Sequence, residues 1–356
     1  MTQPTYSTES WLFFLMSMML MSGASNVLLK DFMCVVNAPT GSAEQPTQDF
    51  NRPIMWSVLM KAGMALCLFF RPKMPTAPLR IFMLSCTLGF LTDVLVNCAY
   101  TAIAGSAIQM LRGGKILFTA ALSYLFLGRR LQPFQMFGAF LVVIGITFVG
   151  VSAYLTPPRQ AEGTAAVKSH ATMIAMLSCL LGEISQAILW VYQESVLKAY
   201  DIHPLQLVGI EGWMGVVLGV GALVVAHAAN IENMEESIHQ LTHSRVLIAS
   251  VMALLASMAI FNYSGVGVTK SGSAVARSII DVSRAVVIWT VELALRWHEF
   301  SWFQLCGFAI LAYGALTYNH ILPAPCLPEA LTSEHSPMLP KSGVTLDRAE
   351  KASSEL

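Results

Sequence analysis

Apolar runs of about twenty residues, the length an α-helix needs to cross a bilayer, alternate with short polar connections along nearly the whole chain. Ten such spans are read: Trp11–Cys34, Ile54–Phe70, Ile81–Tyr100, Ser106–Leu127, Phe134–Leu155, Met173–Val196, Leu205–His227, Val246–Gly265, Ala274–Leu295 and Trp302–Leu322. They are continuous rather than alternating, which predicts helices and not barrel strands. The fold class expected is an all-α integral membrane protein. No lysine or arginine precedes the first span, so it lacks the positive start of a signal peptide and is read as a retained helix.

The spans repeat. At one constant offset, Gln135, Gly138 and Gly145 of the fifth fall on Gln304, Gly307 and Gly314 of the tenth, and Lys115 falls on Arg284. Asn26 in the first span lies where Gln186 lies in the sixth. Five helices per copy is an odd number, so the second copy enters the membrane from the opposite side, the inverted repeat of many secondary transporters. The expected division is 1–155 for the first repeat, 156–172 for a connecting loop, 173–322 for the second repeat and 323–356 for a disordered cytosolic tail.

Polar residues inside the spans are the candidates for function, because a charge at the bilayer centre is costly and is kept off lipid. Arg277, Asp281 and Arg284 share one face of the ninth span, where the aspartate can bridge both arginines, either as a static ladder between helices or as a substrate clamp. Arg112 and Lys115 share a face of the fourth with no acid of their own. Asn26, Asp93, Asn97, Gln109 and Gln186 complete a proposed substrate cavity between the halves. Lys61 stands mid-span and calls for an acid across that cavity. Glu183 and Glu211 have no cation in their own turn: each is a candidate for proton coupling, or is locked to Lys61, Arg112 or Lys115. Tyr100 shares a face with Asp93 and Asn97, Lys30 with Asn26, and Glu194 with Glu183 and Gln186, so these could line the cavity too. Yet Lys30, Asp31, Glu194 and Glu292 lie near helix ends, where snorkelling is the commoner reading. Gly113 and Gly114 are read as a packing point between helices.

Composition agrees with a membrane chain: 55% of residues are hydrophobic and 12% charged, the latter about half the share usual in soluble domains. Formal net charge is zero, which gives no attraction for nucleic acid. Lysine and arginine in short loops favour one side, with Arg71, Lys73, Arg80, Arg129, Arg130, Lys198 and Lys270 against Arg52, Arg159, Lys168, Arg245 and Arg296. That bias puts both termini in the cytosol. The cysteines show no C-x-x-C spacing, and no zinc-protease, P-loop or serine-hydrolase motif occurs, so no cofactor, metal site or enzymatic activity is expected. Glu235, His239 and His243 share a helix face after the seventh span and are read as solvated. Val36–Pro53 is read as a loose loop.

The residues Gln109-Met110-Leu111-Arg112-Gly113, Phe126-Leu127-Gly128-Arg129-Arg130-Leu131 and His203-Pro204-Leu205 with Gly209, Glu211 and Gly212 form a recognisable set. So do Phe261-Asn262, Val268-Thr269-Lys270, Ser273-Ala274, Arg277, Asp281, Arg284 and Val287-Ile288-Trp289. Together they resemble the drug/metabolite transporter superfamily and, within it, solute carrier family 35, subfamily F. The resemblance implies ten helices in two inverted five-helix repeats, with helices 1–4 and 6–9 around the cavity and 5 and 10 peripheral. It also implies an endomembrane location, lysosome, endosome or Golgi, with the mitochondrion as a further compartment. The outer loop lacks the cysteines of the drug-resistance relatives, and no nucleotide-sugar motif is found.

The function expected is secondary active transport of a small polar metabolite by alternating access. The alternative is a non-transporting scaffold or receptor acting through its C-terminal tail. The partners expected are a small-molecule substrate and the lipid bilayer, with a homodimer left open.

Overall fold

The computed structural model describes residues 8–34, 36–39, 47–70, 77–100, 103, 108, 111–127, 133–155, 165–295 and 302–318. The expected tail, the start of the connecting loop and Gln109 lie outside these residues. In chain order the elements are α1 (Thr8–Cys34), a two-stranded antiparallel hairpin of β1 (Asn37–Pro39) and β2 (Thr47–Asp49), α2 (Pro53–Ala65), α3 (Cys67–Phe70) and α4 (Leu79–Ala99). There follow a 3₁₀ turn (Arg112–Gly114), α5 (Lys115–Leu127), α6 (Pro133–Leu155), α7 (Ala165–Tyr200), α8 (Pro204–Ala228), α9 (Met234–His243), α10 (Arg245–Ser271), α11 (Ala274–Ala294) and α12 (Trp302–Tyr318).

Local chemistry sets several of the ends. Proline occupies the first turn of α2 and α8, where its missing N–H costs nothing. The His203 ring accepts from the Leu205 N–H at the head of α8. Ser244 and Ser273 cap α10 and α11 by accepting from Leu247 and Ala276.

Among the described residues, six helical spans are long and apolar enough to cross a membrane: Ser10–Cys34, Pro53–Phe70, Leu79–Ala99, Thr172–Tyr200, Pro204–Ala228 and Arg245–Ser271. The distribution of side chains is that of a membrane protein. Phe13, Phe69, Phe70, Leu125, Ile174, Val217 and Val225 point outward and are exposed, while Lys115, Glu183 and Glu194 are fully buried. Such a surface suits hydrocarbon, and the interior is where polar groups find partners. The chain is an all-α membrane protein apart from the short hairpin.

The principal packing pairs are α1 with α10, α4 with α7, α2 with α8 and α6 with α12. A second tier joins α1 to α11, α5 to α7, α2 to α10 and α4 to α8. Small residues permit the closest approaches. A Cβ on Gly145 of α6 would lie 2.7 Å from the Gly307 carbonyl oxygen of α12, and one on Gly314 of α12 would lie 2.8 Å from the Gly138 carbonyl oxygen of α6. Gly113 is pressed against Leu311 of α12 in the same way.

The described parts of the segment expected to be loose are packed and paired. They pair Asn37 with Asp49, Ala38 with Gln48 and Pro39 with Thr47, and Ala38 and Phe50 are fully buried among Met33, Trp56, Leu223 and Leu247. The helix α9 covers this hairpin: His239 Nδ1 lies 3.0 Å from the Pro39 carbonyl oxygen, and the His239 and His243 rings stack at 3.9 Å. Glu232, just before α9, accepts from the N–H groups of Ile54 and Met55 at 2.8 and 2.9 Å and so satisfies the head of α2. The polar composition of the segment concealed these long-range partners.

Candidate functional site

A cavity lies among α1, α2, α4, α7, α8, α10 and α11. It leaves about 90 Å³ of space, room for a handful of water molecules and much less than a drug-sized ligand occupies. The cavity is narrow as it stands.

One wall is an unbroken chain of alternating charge. The 3₁₀ turn at Arg112–Gly114 has three residues per turn, so Arg112 and Lys115 emerge one above the other. Both reach Glu183 of α7: Arg112 Nε lies 2.8 Å from Oε1 and Lys115 Nζ 2.9 Å from Oε2. Lys115 Nζ also lies 2.5 Å from Asp281 Oδ2 of α11, and Arg284 lies 3.0 Å from Asp281 Oδ1. The sequence of contacts runs Arg112, Glu183, Lys115, Asp281, Arg284. Each carboxylate sits between two cations, which is the geometry that offsets the desolvation of buried charge. Aromatic faces close the wall, with Trp190 between Lys115 and Arg277 at 4.4 and 4.5 Å and Phe261 beside Arg284 at 5.1 Å.

The expected bridge of Arg277 and Arg284 by Asp281 is therefore half right. Asp281 turns to Lys115 and Arg284, whereas Arg277 donates to Gln193 Oε1 at 2.9 Å. Gln193 Nε2 in turn donates to both oxygens of Glu211, at 3.0 and 2.8 Å, and Ser85 donates to the same carboxylate. Helical spacing put three charges on one face, but the choice of partner was made by neighbouring helices. On the far side of the cavity Lys61 meets Asp93 at 2.8 Å.

At the end nearest the hairpin, Lys30 Nζ donates to Asn97 Oδ1 at 2.6 Å and stands 3.5 Å from the Tyr100 ring centroid and 5.7 Å from that of Trp56. Asn97 is held by donating to Ser57 Oγ at 2.9 Å. Lys30 is 6% exposed, so its reading as a snorkelling residue is overturned: α1 continues past it, and Asn97, Tyr100 and Trp56 stand around its ammonium. Glu194 is likewise fully buried, accepting from the Ala274 N–H at the head of α11 and from Lys198. The side chain of Glu292 lies outside the described residues. Asn26 and Gln186 line the cavity, and neither polar atom of the Asn26 amide has a hydrogen-bond partner.

Sequence reasoning missed Gln193, Ser85, Trp56 and Trp190 as parts of the site, whereas Tyr100 was read on one helix face with Asp93 and Asn97. The one signal of the missed residues is polar or aromatic character on a helix that also carries a charge. At the surface beyond the cavity, Lys270 donates to Asp201 Oδ1 at 2.7 Å and holds that carboxyl below the usual range. No group of three or more histidine, cysteine or acidic residues placed to hold a metal occurs among the described residues.

The chain matches the UAA transporter family over residues 13–322. It is 31% identical over 340 residues to mouse solute carrier family 35 member F6, covering 86% of this chain and 88% of that protein. To the human protein of the same name it is 29% identical over 333 residues, with the same coverage. A protein crystal structure at 12% identity superposes with a TM-score of 0.58, covering 88% of this chain and 97% of that one, a likeness of fold alone. An apolar helical body around a buried charged cavity and a family match across nearly its whole length lead to one assignment: the chain belongs to the UAA transporter family, within solute carrier family 35, subfamily F.

Proposed function

We propose that the chain is a secondary transporter that moves a small polar metabolite across an endomembrane by alternating access, with ten membrane helices in two inverted five-helix repeats. The repeats take residues 1–155 and 173–322, joined by 156–172, and the tail 323–356 and the N-terminus are cytosolic. The observation that carries this reading is the exchange symmetry of the packing. Counting spans, the first pairs with the eighth and the third with the sixth. Swapping the two halves turns each of these pairs into the other. The pairs of second with seventh and fifth with tenth turn into themselves. The glycine contacts obey the same exchange, since Gly145 on Gly307 becomes Gly314 on Gly138. A two-fold relation of this kind permits one half to rock against the other around a fixed site.

The substrate site is the charged cavity, lined by Asn26, Asp93, Asn97, Arg112, Gln186, Arg277 and Arg284, with Lys115 and Asp281 behind its wall. The narrow cavity would admit a substrate when either end widens. Glu183 is held by two cations, so Glu211, met by the neutral donors Ser85 and Gln193, is the better proton carrier. Lys61 and Arg277 are the cations around it, the latter through Gln193. Nucleotide-sugar-like solutes and smaller metabolites are the classes to screen.

The test is reconstitution. Purified protein in liposomes is expected to catalyse saturable uptake or exchange of a solute, and Arg112→Gln or Arg277→Gln is expected to reduce that flux at least tenfold while the protein remains monodisperse. Glu211→Gln is expected to remove the response to an imposed proton gradient. Full flux in both arginine variants would end the assignment of the cavity; a parent flux indifferent to pH and gradient would end proton coupling.

A further inference from the structure

The cavity carries more positive charge than its own carboxylates neutralise. Lys30, Lys61, Arg112, Arg277 and Arg284 line it, against Asp93 and Glu211. Adding Lys115, Glu183 and Asp281 behind the wall gives six cations to four carboxylates among the described residues. Asp31, half-buried beside Lys30 in sequence, is not part of the lining and leaves an excess even when counted. Glu194 is committed to Lys198 and the head of α11.

The excess is localised. Asp93 answers Lys61, and Glu211 answers Arg277 through Gln193. Among the described residues no carboxylate lies within ion-pair distance of Lys30, which has only an amide oxygen and two aromatic faces. Arg112 and Arg284 line the same cavity as Lys30. Arg284 Nε is buried without an acceptor, and so is the whole amide of Asn26. Asn26 is 8% exposed and stands one turn before Lys30 and three residues after Gly23 on one face of α1. At Gly23 a Cβ would lie 3.0 Å from the Arg284 guanidinium. Three cations and an unbonded amide thus converge on one end of the cavity. A buried polar group without a partner is costly, and clustered like charges at low dielectric add to that cost.

We propose that this end is an anion subsite: Lys30, Arg112 and Arg284 supply the field and Asn26 the hydrogen bond that hold the carboxylate or phosphate of a small organic anion. The proposal rests on the reading of the cavity as a substrate site and gives that substrate its charge. A bound anion gives the Asn26 amide a partner, neutralises part of the excess and is gripped by the free edges of two guanidinium groups.

The experiment measures the thermal unfolding midpoint of the purified full-length protein at fixed ionic strength with lactate, succinate or inorganic phosphate, and with glucose and choline as neutral and cationic probes. At least one anion is expected to raise the midpoint by a few degrees at about ten times its dissociation constant. A response to lactate or succinate identifies a carboxylate, and one to phosphate alone identifies a phosphate. The decisive variant is Asn26→Leu. Removing an amide that bonds to nothing in the fold is expected to leave the ligand-free midpoint unchanged or raised, while weakening anion binding at least tenfold; a merely structural asparagine would do the opposite. Lys30→Met is expected to abolish the anion shift. No shift with any anion, a shift with glucose or choline instead, or an anion shift equal in the parent and Asn26→Leu would overturn the proposal. Flux of a neutral or cationic solute in liposomes together with no anion shift sinks the anion subsite and leaves the transporter reading standing. Anion binding without flux of any solute does the reverse.

Discussion

The wall and the hairpin end of the cavity are built from the same residue types under opposite rules. In the wall, Glu183 and Asp281 each lie between two cations, and the five charges form one connected strip. At the hairpin end Lys30 has an amide and aromatic rings but no acid, and Asn26 has no partner. Equal burial therefore does not mean equal role. A charge held between two opposite ones, as Glu183, Lys115 and Asp281 are, mainly keeps helices in register, because its interaction energy is already used within the fold. Arg112 and Arg284, at the ends of the strip, each meet only one within it. A buried cation without a counter-charge leaves its field available to whatever enters.

The strongest way to break this contrast is to remove a partner from the wall. Glu183→Ala leaves Arg112 and Lys115 buried with one carboxylate between them, and is expected to cost about 3–5 kcal/mol, seen as loss of monodisperse protein or a steep drop in unfolding temperature. If Glu183→Ala folded as well as the parent, the wall would not be structural. Lys30→Met sharpens the contrast from the other side. It removes one hydrogen bond and one cation, and the expected cost is about 1 kcal/mol, well below that of Glu183→Ala, while flux falls at least tenfold. Similar destabilisation by the two variants would erase the distinction. The smallest effect belongs to the rim, where Arg52 and Glu236 meet at 2.7 Å with side chains 14% and 30% exposed. A double-mutant cycle of Arg52→Ala and Glu236→Ala is expected to give a coupling of about 0–1 kcal/mol, as partly solvated pairs do. A coupling as large as that of the wall would mean that pairing, and not depth, sets the energy.

The hydrophobic pattern alone determined that the chain is a membrane protein and placed the six long apolar helices found among the described residues, because the requirement for about twenty apolar residues is local. The proline and serine starts at Pro53, Pro204, Ser244 and Ser273 were also written in short stretches, since a cap involves only the first turn. The glycine repeat of Gly138 and Gly145 on Gly307 and Gly314 was visible in sequence before the carbonyl contacts that use it. Partners across space were not. Spacing put Arg277, Asp281 and Arg284 on one face, but whether Asp281 took Arg277 or Lys115 depended on α5 lying beside α11, and on Gln193 reaching Arg277 from α7. Nearness to a helix end suggested that Lys30 and Glu194 reach for water; Asn97 and two aromatic rings meeting one and the head of α11 meeting the other reversed both. Sequence fixes which groups must avoid lipid, because that cost belongs to each residue by itself. Which counter-charge each finds, and which is left without one, is a property of pairs brought together from distant parts of the chain, and only the packed helices decide it.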